Sequence, residues 1–193
     1  MNKVIITEQI IDNAEIIIQK NSLQKSLLKD LLNTHNLALL IFNNNSVIDS
    51  NTSNYIKNKN PAEIEAILNT ITVYAGVDSE IADSLISKLS NNLISKFYGL
   101  SVGVNIYIKD PVTKMSTFIA DILGHECIHT IQSFAVGREY FINYCAVTPY
   151  TDDNIFELAA YKFGGDINYK NFPSLKEYVQ VLTKNKNWWN FNC

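Results

Sequence analysis

Apolar residues recur along this chain mostly with a helical period. Residues from about 7 to 20 carry Ile10, Ile11, Ile17 and Ile18, and Leu23 to Leu32 repeats the pattern with a stripe of Leu27, Leu28, Leu31 and Leu32. Both stretches are expected to be helices. Leu37 to Phe42 is a continuous apolar run of strand length, and the Asn-rich segment from Asn43 to Asn60 reads as a polar connection, a surface loop or a boundary. Pro61-Ala62-Glu63 then opens a helix in the favoured way, with proline in the first turn and a carboxylate near the positive end of the dipole. That helix is expected to run to about Tyr74. A second, capped by Asp78, should run to about Phe97, making a helical hairpin whose buried stripe is Leu85, Ile86, Leu89, Leu93 and Ile94.

The second half changes period. Val102 to Ile108 is β-branched and weakly alternating and is ended by Asp110-Pro111, so it reads as one strand. Met115 to Ser133 contains no proline and is apolar nearly all round, the pattern of a helix buried on both faces. Gly137 to Tyr144 reads as a short helical return. Residues 153 to 165 form another short helix, with Asp153 or Asn154 as N-cap and Gly164 as its stop. Ser174 caps a last helix to about Thr183, and Trp188-Trp189-Asn190-Phe191 is expected to dock on the core.

Chemistry enters inside the long apolar helix. His125-Glu126-Cys127-Ile128-His129 places two histidines four residues apart, about 40° from one another on one helix face, so both imidazoles can turn toward a single ion. Phe118, Ile122 and Gln132 share that side. Glu126 stands beside the pair, placed to take a proton from a zinc-bound water rather than to bind the metal. Accidental copies of this pattern usually lack a third ligand. Here Glu157 follows 28 residues after His129 on the next short helix, where Ala159 and Ala160 are small enough to allow close packing. The remaining histidine, His35, lies in a polar context and is read as a surface residue. His35, Asp152 and Asp153 are the alternatives should Glu157 not bind.

Three cysteines, Cys127, Cys145 and Cys193, have no disulfide-framework or zinc-ribbon spacing and are expected to be free thiols. Cys127 lies next to Glu126 in sequence, but the helix turns it to the side opposite the histidines, where it is a small buried hydrophobe.

His125-Glu126-x-x-His129 followed by Glu157-x-x-Ala160-Tyr161 resembles the gluzincin metallopeptidases, whose third ligand is the glutamate of a Glu-x-x-Ala-Asp or Glu-x-x-Ala-Tyr helix. The chain is more closely similar to the metallopeptidase-like domains of the extracellular contractile injection system core group. Those show a Gly-x-x-Ile-Tyr-Ile strand, then Ala-His-Glu-x-x-His-x-x-Gln, an aromatic-rich turn and Glu-x-x-Ala-Tyr. The matching stretches here are Leu100 to Ile108, the motif with Gln132, and Tyr150 through Tyr161, about residues 97 to 165. The first half is not covered.

The resemblance implies a mainly helical, zincin-like α+β domain with a small sheet bordering the active-site helix. It also implies Zn²⁺ held by His125, His129 and Glu157, with Glu126 as general base. A tyrosine hydroxyl, from Tyr150 or Tyr161, would steady the oxyanion. A peptide or protein substrate would lie along a sheet edge, and a bacterial toxin or effector setting stands beside a housekeeping one. Two positions depart from the family pattern. Tyr161 stands where an aspartate often holds a zinc-binding histidine, and Gly124 costs about 1 kcal/mol relative to alanine inside the helix. The competing class is an interaction module in which the same ligands carry a structural zinc.

With 193 residues, 47% of them hydrophobic and 18% charged, the chain suits one domain over 1–193, comprising a helical N-terminal portion (1–96) and a zinc-site portion (97–193). A net charge of -3 with dispersed lysines leaves no basic stripe for nucleic acid or an anionic membrane. No apolar run approaches a membrane-spanning length, and the N-terminus lacks the apolar core of a signal peptide. The expected location is cytoplasmic, or outside the cell by a route without a classical signal. The oligomeric state is left open.

Overall fold

The computed structural model describes residues 5–89, 98–109, 116–147 and 154–164. Among them, nine α-helices surround a four-stranded mixed sheet, an α+β arrangement. The strands are β1 (Gln24–Leu27), β2 (Thr72–Val77), β3 (Gly99–Val102) and β4 (Asn105–Lys109), in the spatial order β1-β2-β4-β3. β2 pairs parallel with β4, Val73 opposite Ile106 and Tyr74 opposite Tyr107, while β1 and β3 add antiparallel at the two edges. Parallel neighbours require a crossover, and α6 (Ser79–Leu89) lies on it, its N-terminus capped by Asp78, which accepts from the Ile81 amide.

The period of two along the central strands divides the core. Val73, Ile106 and Ile108 join one cluster with residues of α2 (Leu28–Leu31), α3 (Thr34–Asn43), α4 (Ser50–Lys57), α5 (Pro61–Thr70), α7 (Ser116–Val136) and α9 (Ile155–Gly164). Tyr74, Val77, Val102 and Tyr107 join a second cluster with Ile11 and Ile18 of α1 (Glu8–Lys20), Ala82 of α6 and Ala146 of α8 (Arg138–Val147). The sheet is therefore covered on both faces, as parallel pairing normally demands.

Several expected elements differ. Leu23 to Leu32 is not one helix but β1 followed by the single turn α2, because the Leu28 amide bonds to Ile71 O beside β2 instead of continuing a helix. Leu37 to Phe42 is helical, within α3, capped by Asn33. The polar stretch 43–60 holds a 3₁₀ turn (Asn45–Val47) and α4, with Thr52, Ser53 and Ile56 buried against α7. Asp49 caps α4 by accepting from the Thr52 amide. α5 starts as expected, with a reciprocal Asn60/Glu63 capping box and Pro61 in the first turn, but it stops at Thr70. Residues 72–77 leave as a central strand, so no helical hairpin forms. β2 is buried on both faces, which removes the alternation that would mark a strand. The single strand expected at 102–108 is the β3–β4 hairpin. Gly103 sits at its turn with φ +59°, a conformation that favours glycine.

α1, the long site helix, α8 and α9 lie where the pattern placed them. The expected helix from Ser174, the Trp188–Phe191 segment, the side chains of Leu85, Ile86 and Leu89, and residues Leu93, Ile94 and Cys193 lie outside the described residues. No helix among the described residues is long and apolar enough to cross a membrane.

Candidate metal centre

α7 runs between the sheet and α9, and every side chain described from Ile122 to Ser133 is buried except that of His125, which is partly so. Helical spacing turns His125 and His129 the same way, and their Nε2 atoms lie 2.8 Å apart with the rings nearly perpendicular. α9 supplies the third group. Asn154, not Asp153, caps it, its Oδ1 accepting from the amides of Phe156 and Glu157. Ala159 and Ala160 are buried where α9 packs on α7, and that close approach brings Glu157 Oε2 to 3.1 Å from His125 Nε2 and 3.4 Å from His129 Nε2.

The chemistry of the three groups fits a divalent cation. Glu157 is 4% exposed, yet its Oε2 has no hydrogen-bond partner of acceptable geometry despite lying so near both rings. Its contacts with the rings are electrostatic, and a carboxylate buried this deeply needs such positive charge beside it. The three groups offer one ligand atom each, all within 4.8 Å of one another. Two imidazoles and a carboxylate are a donor set for transition metals. Burial acts against ionised Glu157, but the two imidazoles outweigh it and hold the carboxyl well below its usual range. Burial likewise opposes a charged His129, and the Glu157 and Glu126 carboxylates overcome it, pushing the ring up to about 9. The pocket thus favours positive charge, carried by a proton or by a metal ion that replaces it.

Glu126 is buried beside this set and is not part of it. Burial pushes its carboxyl upward, against the pull of His129 and His125, and the Ser101 amide of β3 donates to it. Its Oε2 has no hydrogen-bond partner. β3 reaches this close because residue 99 is glycine. A Cβ there would stand 2.3 Å from Ile122 Cγ2 and 2.9 Å from Glu126 Oε1. One residue pair further along, Ser101 Oγ and Thr130 Oγ1 share a buried hydrogen bond of 3.0 Å that ties the strand to the helix. The sheet edge bordering the site helix is therefore β3, not the strand immediately before it in sequence.

Of the two tyrosines, Tyr161 packs its ring against His125, with centroids 4.7 Å apart, while Tyr150 lies outside the described residues, as do Asp152 and Asp153. Tyr161 is not the residue that steadies His129. Gln132 does so, its Oε1 2.7 Å from His129 Nδ1. Phe141 of α8 closes the other side of the His129 ring, with centroids 5.2 Å apart. His35 is exposed, pairs with Glu65 and is not among the three converging groups. Cys127 is fully buried behind the helix, and burial pushes its thiol upward. Cys145 is a free thiol as well.

Sequence reasoning missed Gly99, Ser101, Asp49 and Phe141. Only Asp49 carried a local signal, an aspartate three residues before Thr52 in the manner of an N-cap. No protein-family profile, curated protein or solved structure matches the chain.

Proposed function

We propose that the chain is a zinc-dependent peptidase of gluzincin type, acting on a peptide or protein substrate. The observation that carries this reading is the division of labour in one buried pocket. His125, His129 and Glu157 converge, and Glu126, a fourth buried group, stands beside them with a free oxygen. Three protein ligands without a cysteine among them suit a catalytic rather than a closed structural zinc. A zinc ion held there would lower the pKa of a water and polarise a carbonyl.

The protein's own groups supply the rest. Glu126 takes the proton from the attacking water and returns it to the leaving amine, a role its buried setting supports by raising its affinity for a proton. The Ser101 amide holds that carboxylate in place from β3. Tyr161, whose ring packs on the more accessible histidine, and Tyr150 are the two candidates for the hydroxyl that steadies the developing oxyanion. A zincin-like layout is supported by the long helix lying along a sheet edge, β3. The toxin or effector setting rests on the motif likeness alone.

Glu126→Gln tests the reading, because it keeps size and hydrogen-bonding shape while removing the base. With zinc occupancy verified in both proteins, cleavage of a mixed peptide library should fall by about 10²- to 10⁴-fold in the variant. Zinc bound by both and hydrolysis by neither would make the chain a zinc-binding interaction module. Equal cleavage by both would remove Glu126 as the base.

A further inference from the structure

Gln132 is fully buried one turn beyond His129, and its amide is engaged at both ends. Nε2 donates to Asp49 Oδ2 at 3.1 Å and to the Phe156 carbonyl at 3.0 Å, while Oε1 faces His129 Nδ1 at 2.7 Å. The two ends of an amide have the same shape, so its orientation must follow from the partners. A carboxylate and a carbonyl both lack hydrogens, and only the NH₂ end can face them. The oxygen is thereby turned to His129, whose Nδ1 must carry the hydrogen. In the neutral ring the lone pair is then on Nε2, the nitrogen that faces His125 and Glu157.

Asp49 is held just as firmly. Its Oδ1 accepts from the amide and hydroxyl of Thr52 as the cap of α4, which leaves Oδ2 for Gln132. Phe156 precedes Glu157, so the same amide also ties the second histidine to the turn that carries the third ligand.

We propose that Asp49 and Gln132 are positioning residues that select Nε2 of His129 as the metal-binding nitrogen, so that a side chain from the N-terminal half sets the metal affinity of the centre. This rests on His125, His129 and Glu157 being a zinc site.

Asp49→Asn is the informative change. The new side chain still caps α4 through its oxygen but turns an NH₂ toward Gln132. The glutamine then either meets a donor with a donor or flips, setting its oxygen against the Phe156 carbonyl and its NH₂ against His129 Nδ1, which moves the ring hydrogen to Nε2. Asp49→Ser also caps the helix but is too short to reach Gln132. Zinc dissociation constants from chelator competition should rise by about 10- to 100-fold in Asp49→Asn, and by less in Asp49→Ser. Nitrogen-15 spectra of metal-free protein in alkaline buffer, where the ring is neutral, should show Nδ1–H on His129 in wild type and Nε2–H appearing in Asp49→Asn. Equal affinities with Nδ1–H throughout would reduce Asp49 to a cap and overturn the proposal, as would Nε2–H in wild type. Wild-type protein that binds no zinc would instead remove the metal reading, while the spectra still decide the tautomer.

Discussion

Among the described residues, two polar clusters each enclose a buried glutamate, and they differ in whether its oxygens have hydrogen-bond partners. On one face of the sheet, Glu15 of α1 accepts from the Asn105 amide group, the Tyr107 hydroxyl and Arg138 Nη1, and Arg138 also bonds Glu8 and Asp12. Gln19 donates to the same tyrosine hydroxyl. On the other face, Glu157 and Glu126 each keep a buried oxygen without a hydrogen bond, that of Glu157 3.1 Å and 3.4 Å from two imidazole nitrogens. A network whose members satisfy one another locks α1 and α8 to the sheet. In the other cluster, His125, His129 and Glu157 converge while two carboxylate oxygens lack hydrogen bonds, the arrangement of a possible metal site. Both contain a buried glutamate, so burial of charge alone does not identify a site.

The comparison can be broken by removing one glutamate from each cluster. On the proposed reading, Glu157→Ala removes a ligand and should lower zinc affinity by more than the 10- to 100-fold typical of a supporting partner, with the fold retained. Elemental analysis of the purified variant against wild type checks it, and full zinc retention would take Glu157 off the ligand set. Glu15→Ala should act in the opposite way, leaving zinc content alone while costing about 1–3 kcal/mol of stability, since the Tyr107 hydroxyl and Asn105 amide lose their acceptor. Urea unfolding measures it.

The same glutamate sharpens the contrast through pH. Burial, the largest influence, raises the Glu15 carboxyl above its ordinary value against the lowering by Tyr107, Asn105 and Arg138. A carboxyl raised in the folded state takes up a proton on folding, so its contribution is fully present below the unfolded value and is lost as pH rises through the folded one. Relative to Glu15→Gln, which does not titrate, wild type should lose stability over that rise. A flat difference between the two unfolding curves would show that the partners cancel the burial.

Gly99→Ala probes the strand that holds Glu126. The added methyl meets Ile122 and the Glu126 carboxylate, so thermal unfolding should report a loss of about 1–3 kcal/mol with that carboxylate displaced. The smallest effect is expected from Cys127→Ala, behind the helix. It should keep zinc and most activity and cost about 1 kcal/mol of packing, and loss of activity with metal and fold intact would give the Cys127 thiol a chemical role.

What was legible in the chain was what is local. The spacing of His125 and His129, the flanking position of Glu126, the Pro61–Glu63 helix start and a cap at Asp153 or Asn154 each depend on contacts within one helical turn, which any reader of the period can place, although the choice of Asn154 came from the structure. Glu157 was legible for a related reason, being a carboxylate on a short helix with two alanines on its packing side. The tertiary structure decided the rest. Thr72–Val77 became the central strand because both its faces are covered and its edges are paired with β1 and β4, conditions that leave no alternation to read. Leu37–Phe42 became a helix although its apolar run suited a strand, since Asn33 starts the turn and Leu37, Ala38 and Ile41 pack into the core at helical spacing. The Asn-rich segment became α4 through burial against α7, and that burial places Asp49 on Gln132, 83 residues away. A hydrogen bond across such a separation leaves no periodic trace in either stretch of sequence, because its partners are chosen by the fold and not by their neighbours along the chain.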